Sequence, residues 1–313
     1  MHDKYVIADD SLYILGGRNT FGYFLGDYAG HKNYDRDVLV YNTGSKDSSI
    51  YQIKDYYKKI TSQKCCSVFH YNESLGEKNS VKKAEQELKN RYESLENKYD
   101  KFLAENYDYK ANTYETNKIN LLSNPTSLYA KQPTVYYGLM YLAKNAKKEV
   151  KIHTPYIICN DYMYNELKNI KVPTTIMTNS AENNGNIFGA VDYLNHKKDI
   201  INTGVTIKEY EGGISYHGKS MTIDDDIAIV GSFNMDMRSA YIDTELMLVI
   251  NSKDINKQLK ASMEEYEKKA ATVKNETEYS HIPEGMKMKE LSDKKKNIKA
   301  WFGWAMNGLR FLF

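Results

Sequence analysis

The chain has 313 residues, 41% apolar and 27% charged, with a formal net charge of only +2. This is long enough for a large core and more than one domain, and the near-neutral balance excludes the global basic field that gathers nucleic acid. Cys65, Cys66 and Cys159 offer no disulfide framework and read as reduced thiols, and neither a secretory signal nor an apolar run of about 20 residues is present.

In chain order, residues 4–7 and 11–15 read as two short strands joined by a turn at Asp9-Asp10, with His2 and Lys4 on one strand face. Gly16-Gly17 lets the backbone turn tightly, and Asn19 opens a short helix or loop. Asp35-Arg36-Asp37 leads into another strand that starts at Asp37. From about Tyr51 to Asn120 the character changes. Lys83 to Lys101 reads as one long helix with a solvated charged face, and residues 117–133, with Pro125 and Pro133, read as a connecting loop. An α/β series follows, with helices over 135–147, 160–170 and 187–201. They alternate with strands over 149–158, 174–178, 205–210, 219–223, 227–230 and 246–250. Such alternation implies a sheet with crossover helices on its faces.

One pattern occurs twice. His2, Lys4, Asp9 and Asn19 have the same spacing as His217, Lys219, Asp224 and Asn234, with Gly16-Gly17 and Gly231-Ser232 standing just before each Asn. A single His-x-Lys is an ordinary exposed strand; two copies with Asp and Asn in register are not. The second copy follows a long series of helices and strands, whereas only one methionine precedes the first. If the copies mark two similar lobes, most of the first lobe's leading half is expected to be missing, as in a fragment or a chain begun at an internal methionine.

The doubled motif resembles the signature of the phospholipase D superfamily. Thr154-Pro155-Tyr156, Thr178-Asn179-Ser180, Asp236-Met237-Arg238-Ser239-Ala240, Thr244-Glu245-Leu246 and Gly-Gly-Arg-Asn with Tyr23-Phe24 and Asp35-Arg36-Asp37-Val38 look like its bacterial cardiolipin synthase branch. The resemblance covers residues 1–41 and about 126–250. It implies an α/β phospholipase D-like fold: two similar sheet-helix lobes with the active site between them, the first incomplete. The expected organisation is a remnant of the first lobe at 1–50, a charged helical connector at 51–125, a second lobe at 126–252 and a C-terminal helical segment at 253–313.

The chemistry explains the residue types. A phosphodiester is anionic and repels nucleophiles, so a site must neutralise its oxygens and protonate the leaving alkoxide. Lys4 and Lys219 supply charge and Asn19 and Asn234 neutral donors. One imidazole attacks phosphorus, while the other protonates the leaving oxygen and later activates alcohol or water. The two motifs alone do not rank the histidines; the resemblance implies His2 as nucleophile and His217 as acid/base. Each histidine needs a carboxylate to fix its tautomer, and Asp37 and Glu245 resemble the family's orienting acids. Asp9 and Asp224 fall on the opposite strand parity and read as structural. No metal or other cofactor is implied, because a protonated lysine in His-x-Lys cannot coordinate.

His31, His70, His153, His196 and His281 lack any such pattern and read as surface or packing residues. Arg18 and Arg238 read as structural salt-bridge formers, and Asn179-Ser180 as either a helix cap or a head-group contact. In Lys294 to Phe313, the residues Ile298, Trp301, Phe302, Ala305, Met306, Leu309, Leu312 and Phe313 recur at helical spacing. Lys295, Lys299, Asn307 and Arg310 lie mostly off that stripe, as do the apolar Trp304 and Phe311. The run suits an interfacial helix, with docking on the protein's own core as the alternative.

The expected partners are a phosphatidylglycerol-like phospholipid and a membrane surface, with no nucleic acid, and the expected location is peripheral on the cytoplasmic face of a bacterial membrane. The expected activity is phosphatidyl transfer forming cardiolipin. The rivals are a phosphodiesterase or nuclease, and an inactive fragment whose motifs are not assembled or whose copies pair as a homodimer.

Overall fold

The computed structural model describes residues 1–25, 32–70, 72–99, 108–302 and 308–312. Met1–Asp55 with Glu115–Phe313 form one compact unit and Tyr56–Tyr114 a second. The larger unit is a mixed α/β structure. Its strands begin with β1 (Tyr5–Ala8), β2 (Leu12–Gly16), β3 (Asn33–Tyr34) and β4 (Asp37–Tyr41). They continue with β5 (Lys118–Ser123), β6 (Val150–His153), β7 (Ile157–Ile158), β8 (Thr174–Asn179), β9 (Thr206–Tyr210) and β10 (Ser215–Tyr216). The last six are β11 (Ser220–Ile223), β12 (Ile227–Gly231), β13 (Met235–Asp236), β14 (Leu246–Asn251), β15 (Ala270–Val273) and β16 (Tyr279–His281).

Among the described residues, nine strands form one sheet in the order β16-β15-β9-β8-β6-β11-β12-β14-β5. β6, β8 and β9 run parallel, joined by crossover helices at Asp161–Lys168 and Ile187–Ile201. β11 and β12 then return as an antiparallel hairpin whose first strand pairs with β6. Every residue of β11 is buried, which is what a central strand covered on both faces requires. Asn160, Asn186 and Ser252 cap the helices that follow by accepting backbone N–H bonds, satisfying donors that the first turn leaves orphaned. Ile152, Ile176, Ile207, Met221 and Ile229 meet Tyr136, Leu139, Met140 and Met163 in one continuous core.

Two expectations are corrected. Residues 117–133 are not all loop: Lys118–Ser123 forms the edge strand β5, whose polar Lys118 and Asn120 masked its apolar alternation. The segment 253–313 is not purely helical either, since β15 and β16 extend the sheet beyond the helix Lys253–Glu267. In the second unit the helix Asn79–Lys98 buries none of its residues, as a solvated charged helix should; the end expected at Lys101 lies outside the described residues.

The C-terminal segment is described as a helix at Asp293–Phe302 and a 3-10 turn at Arg310–Leu312. Trp304, Ala305, Met306, Asn307 and Phe313 lie outside the described residues. Two cations expected off its apolar stripe point into the protein instead. Lys295 donates to the carbonyl oxygens of Ala181, Glu182 and Asn184 at 2.8, 2.6 and 3.0 Å. Arg310 pairs with Asp192 at 2.7 Å and donates to the Cys159 carbonyl at 2.9 Å.

Asp224 braces a turn. It sits at φ 51° in the β11–β12 turn and accepts the backbone N–H groups of Lys147, Lys148 and Glu149. These bonds hold its carboxyl below the usual range, against the opposing effect of burial. A lowered acid pKa stabilises the fold above the unfolded-state value, and that stabilisation is lost as pH falls through the folded-state value. Asp224→Ala is therefore expected to cost about 1–2 kcal/mol at neutral pH. The loss should shrink on acidification, as checked by urea unfolding at several pH values.

Candidate active site

The repeated motif is a repeated structure. β1 and β2 form an antiparallel hairpin with Asp9 at φ 53° in the turn, matching Asp224 at φ 51° between β11 and β12. In the first copy the N–H of Gly16 donates to the Lys4 carbonyl at 3.2 Å; in the second, that of Gly231 donates to the Lys219 carbonyl, also at 3.2 Å. β2 and β4 pack beside β12, which brings the two hairpins together.

Each histidine is completed by a carboxylate that follows the other motif. His2 Nδ1 lies 2.9 Å from Glu245 Oε1, and the His2 backbone N–H donates to the Thr244 carbonyl at 3.3 Å. His217 Nδ1 lies 2.6 Å from Asp35 Oδ2. The second contact follows from a two-residue parallel pairing in which Tyr34 stands opposite Tyr216. The next residues along these strands are Asp35 and His217, and the His217 N–H donates to the Tyr34 carbonyl at 2.6 Å. Ser232 Oγ donates to the other Glu245 oxygen at 2.5 Å, so neither oxygen of this fully buried carboxyl is left unpaired.

Asp37 does not orient His2. Its carboxylate takes the Arg18 Nε at 2.6 Å and the Arg18 backbone N–H at 3.4 Å. The structure thus gives Asp37 a bracing contact and places Asp35, two residues earlier, on the opposite histidine. Arg18 also donates to the carbonyls of Phe24 and Asp35, and Arg238 pairs with Asp243 at 2.9 Å, so both arginines are the structural ion-pair formers expected. Asn179 is neither a cap nor open to a ligand. It exchanges hydrogen bonds with the Tyr216 backbone, both at 2.8 Å, and fixes the residue before His217. His153 is buried between Tyr216 and Glu267, which agrees with a packing role; His31 lies outside the described residues.

Arg36 carries more of the site than its sequence context suggested. Its backbone N–H donates to Asp35 Oδ1 at 2.8 Å. Its guanidinium donates to Tyr216 OH at 2.9 Å and Ser220 Oγ at 2.5 Å, the residues that flank His217-Gly218-Lys219. Gly17 is needed on steric grounds, because a Cβ there would lie 2.4 Å from Asp35 Oδ1 and 3.0 Å from Lys219 Cδ. The rings of Phe24 and Tyr156 stand 5.0 and 6.3 Å from that of His217, both edge-on, and help to bury it.

Burial sets the protonation of the site. It pushes His217 down to about 4, with Lys219 adding to the effect and Asp35 opposing it. His2 is likewise pushed down to about 4 by burial, with Lys4 and Lys219 adding. Lys219, 1% exposed, falls to about 8 for the same reason, and burial pushes Glu245 up to about 8. Asp35 remains ionised: burial works to raise it, but the Lys219 charge and the His217 hydrogen bond outweigh burial and lower it. Lys4 and Lys219 each donate to the carbonyl of their own histidine, which fixes their ammonium groups beside the two rings. Asn234 is buried, and its carboxamide oxygen has no partner among the described residues; Asn19 is half-buried.

A family model described as "Cardiolipin synthase, PLD-like domain" matches residues 139–266. The chain belongs to the phospholipase D superfamily. It is 30% identical over 159 residues to cardiolipin synthase 1 of Staphylococcus epidermidis, covering 50% of this chain and 32% of that protein. An uncharacterised protein of Helicobacter pylori is 25% identical over 295 residues, covering 85% of this chain and 57% of that one. The chain thus spans about a third to just over half of these relatives' lengths. Its phospholipase D-like fold is shared with the crystal structure of phosphatidylserine synthase from Haemophilus influenzae at a TM-score of 0.62. That match has 14% identity and covers 97% of this chain and 69% of the other.

The crossed pairing makes opposite predictions for two neighbouring aspartates. Asp35→Asn removes the carboxylate that raises the His217 pKa, so His217 should titrate below its native value of about 4. Asp37→Asn, which loosens Arg18, should leave that titration in place. Imidazole ¹⁵N NMR of the two variants reads the difference, and equal shifts in both would refute the assignment.

Proposed function

We propose that the chain is a phosphatidyltransferase of the cardiolipin synthase type, acting through a phosphohistidine on phosphatidylglycerol. The observation that carries this reading is the convergence of two His-Lys pairs, each with its own buried carboxylate, on one water-poor centre. His2 Nε2 attacks phosphorus while Nδ1 stays on Glu245. The P–N bond forms as the bond to the leaving alkoxide breaks, and His217 gives that oxygen its proton. The hydroxyl of a second phosphatidylglycerol then loses its proton to His217 and attacks phosphorus, which breaks the P–N bond and frees His2. Glycerol leaves in the first step and cardiolipin in the second. Lys4, Lys219, Asn19 and Asn234 bind the phosphoryl oxygens as charge develops on them.

Both imidazoles are neutral at pH 7 in the empty site, which suits a nucleophile but not an acid. The phosphodiester's own negative charge removes this difficulty by favouring the imidazolium of His217 on binding. Transfer is chosen over hydrolysis because the histidine is walled by aromatic rings, which admit an alcohol carried on a lipid more readily than bulk water. The similarity to a cardiolipin synthase also supports this choice. The nuclease reading has no comparable support, since the net charge is +2 and the arginines beside the site are bound to protein groups.

The deciding experiment incubates the purified chain and its His217→Ala variant with phosphatidylglycerol vesicles and resolves the lipids. Cardiolipin from the native chain, reduced by more than about 10³-fold in the variant, is expected. Phosphatidic acid alone would mean hydrolysis, and no lipid product from the folded native chain would overturn both. A second outcome concerns pH. A protonated His2 cannot attack, and a neutral Lys219 cannot balance the phosphate. His217 must also take up a proton that the empty site lacks above about 4, so kcat/KM should fall as pH rises above that value and fall more steeply past about 8.

A further inference from the structure

We propose that the outer face of the C-terminal segment docks on an anionic lipid surface, through Lys294, Lys296, Lys299 and Trp301 together with Leu309, Phe311 and Leu312. The segment is arranged inside-out for a helix that packs on a water-soluble core. Such a helix buries its apolar residues and leaves its cations in water. Here Lys295 is 7% exposed and Arg310 is tied to Asp192, while Trp301 is 77% exposed and Leu309, Phe311 and Leu312 are 48%, 50% and 43% exposed. The inward cations fasten the segment to the protein, and the outward apolar side chains are left facing the medium. Scattered single exposed apolar residues need no explanation, but a Trp with three further large apolar residues on one fastened segment does.

Charge identifies the partner. Between residues 285 and 312 there are seven Lys and Arg against two acids, in a chain whose net charge is only +2. The remainder of the protein has 36 Lys and Arg against 39 acids, so the chain's net positive charge comes from this segment. Lys294, Lys296 and Lys299 are all exposed on the helix that carries Trp301. Basic side chains beside an interfacial tryptophan match an anionic head-group layer above an acyl phase. A second copy pairing through the same segment would present the same positive charge and be repelled.

The attachment points place this face next to the reaction centre. Lys295 holds the carbonyls of residues 181, 182 and 184, in the loop whose Asn184 reaches the Pro155 carbonyl; Pro155 precedes Tyr156, a wall of the His217 site. Arg238, four residues beyond Asn234, donates to the Leu312 carbonyl at 3.2 Å. Docking there would bring a lipid surface to the side of the protein that these contacts join to the His217 site, whichever reaction it performs.

The test reads binding, so it is independent of the proposed reaction. Sedimentation of the full chain is measured with phosphatidylcholine vesicles and with vesicles containing about one-third phosphatidylglycerol. Binding is expected only to the second, weakening as salt is raised. K294Q/K296Q/K299Q should lower affinity roughly a hundredfold, at about fivefold per lysine, and W301S/F311S about tenfold. All five positions are exposed, and an unchanged circular dichroism melt shows that the variants fold. Equal binding to both vesicle types, unchanged affinity in both variants, or self-association without vesicle binding would each overturn the proposal. So would uptake of single-stranded nucleic acid in preference to vesicles.

Discussion

The crossed contacts His217–Asp35 and His2–Glu245 are what the rest of this structure is arranged around. An imidazole that must attack or protonate through Nε2 needs its other nitrogen held, and the two groups that hold it here come from opposite motifs. Neither motif has a complete histidine without the other. The crossing has a simple backbone cause. Asn33-Tyr34 pairs in parallel with Ser215-Tyr216, so the residue that continues one strand faces the residue that continues the other. Arg36 then ties the same two segments together through its side chain, and Gly17 leaves the space in which Asp35 and Lys219 approach each other.

The doubled motif was legible in the sequence because it is a matter of spacing, and spacing survives folding. His2, Lys4, His217 and Lys219 sit on equivalent hairpins, and Asp9 and Asp224 occupy equivalent turns. The α/β alternation from residue 135 to residue 250 was legible for the same reason, since long apolar runs and crossover helices have strong periodicity. The partner of each histidine was not. Counting along the chain set Asp37 and Glu245 as a matched pair, but the contact that decides the acid is a two-residue strand pairing with no periodic signal. Asp35 and Asp37 are also two residues apart, so alternation along the sequence could not choose between them. The C-terminal segment misled in another way. Its apolar stripe was visible, but whether the stripe or the cations face the protein depends on acceptors at Ala181, Glu182, Asn184 and Asp192, which lie more than a hundred residues earlier.

The energetic character of the site follows from its burial. Desolvation raises Glu245 and Asp236 and lowers both histidines and both lysines, so nearly every ionisable group in the empty site leans toward its neutral form. Asp35 is the exception, because Lys219 and His217 both favour its charge. A cluster held in this condition responds strongly to an added charge, since little water is present to screen it.

In the proposed reaction an entering phosphodiester supplies that charge. Its negative oxygens would hold Lys4 and Lys219 in their ammonium forms and make a proton on one imidazole favourable while the other stays neutral to attack. The acid is therefore armed by the group on which it acts, and in the empty site both rings stay unprotonated at neutral pH. Which ring takes the proton depends on the carboxylate behind it. Asp35, kept ionised by Lys219, stabilises an imidazolium at His217. Glu245, fully buried and pushed toward its protonated form, offers His2 much less. The asymmetry between two otherwise matching motifs thus lies in the acids rather than in the histidines, and under the proposed reaction it would make His217 the proton carrier and His2 the nucleophile.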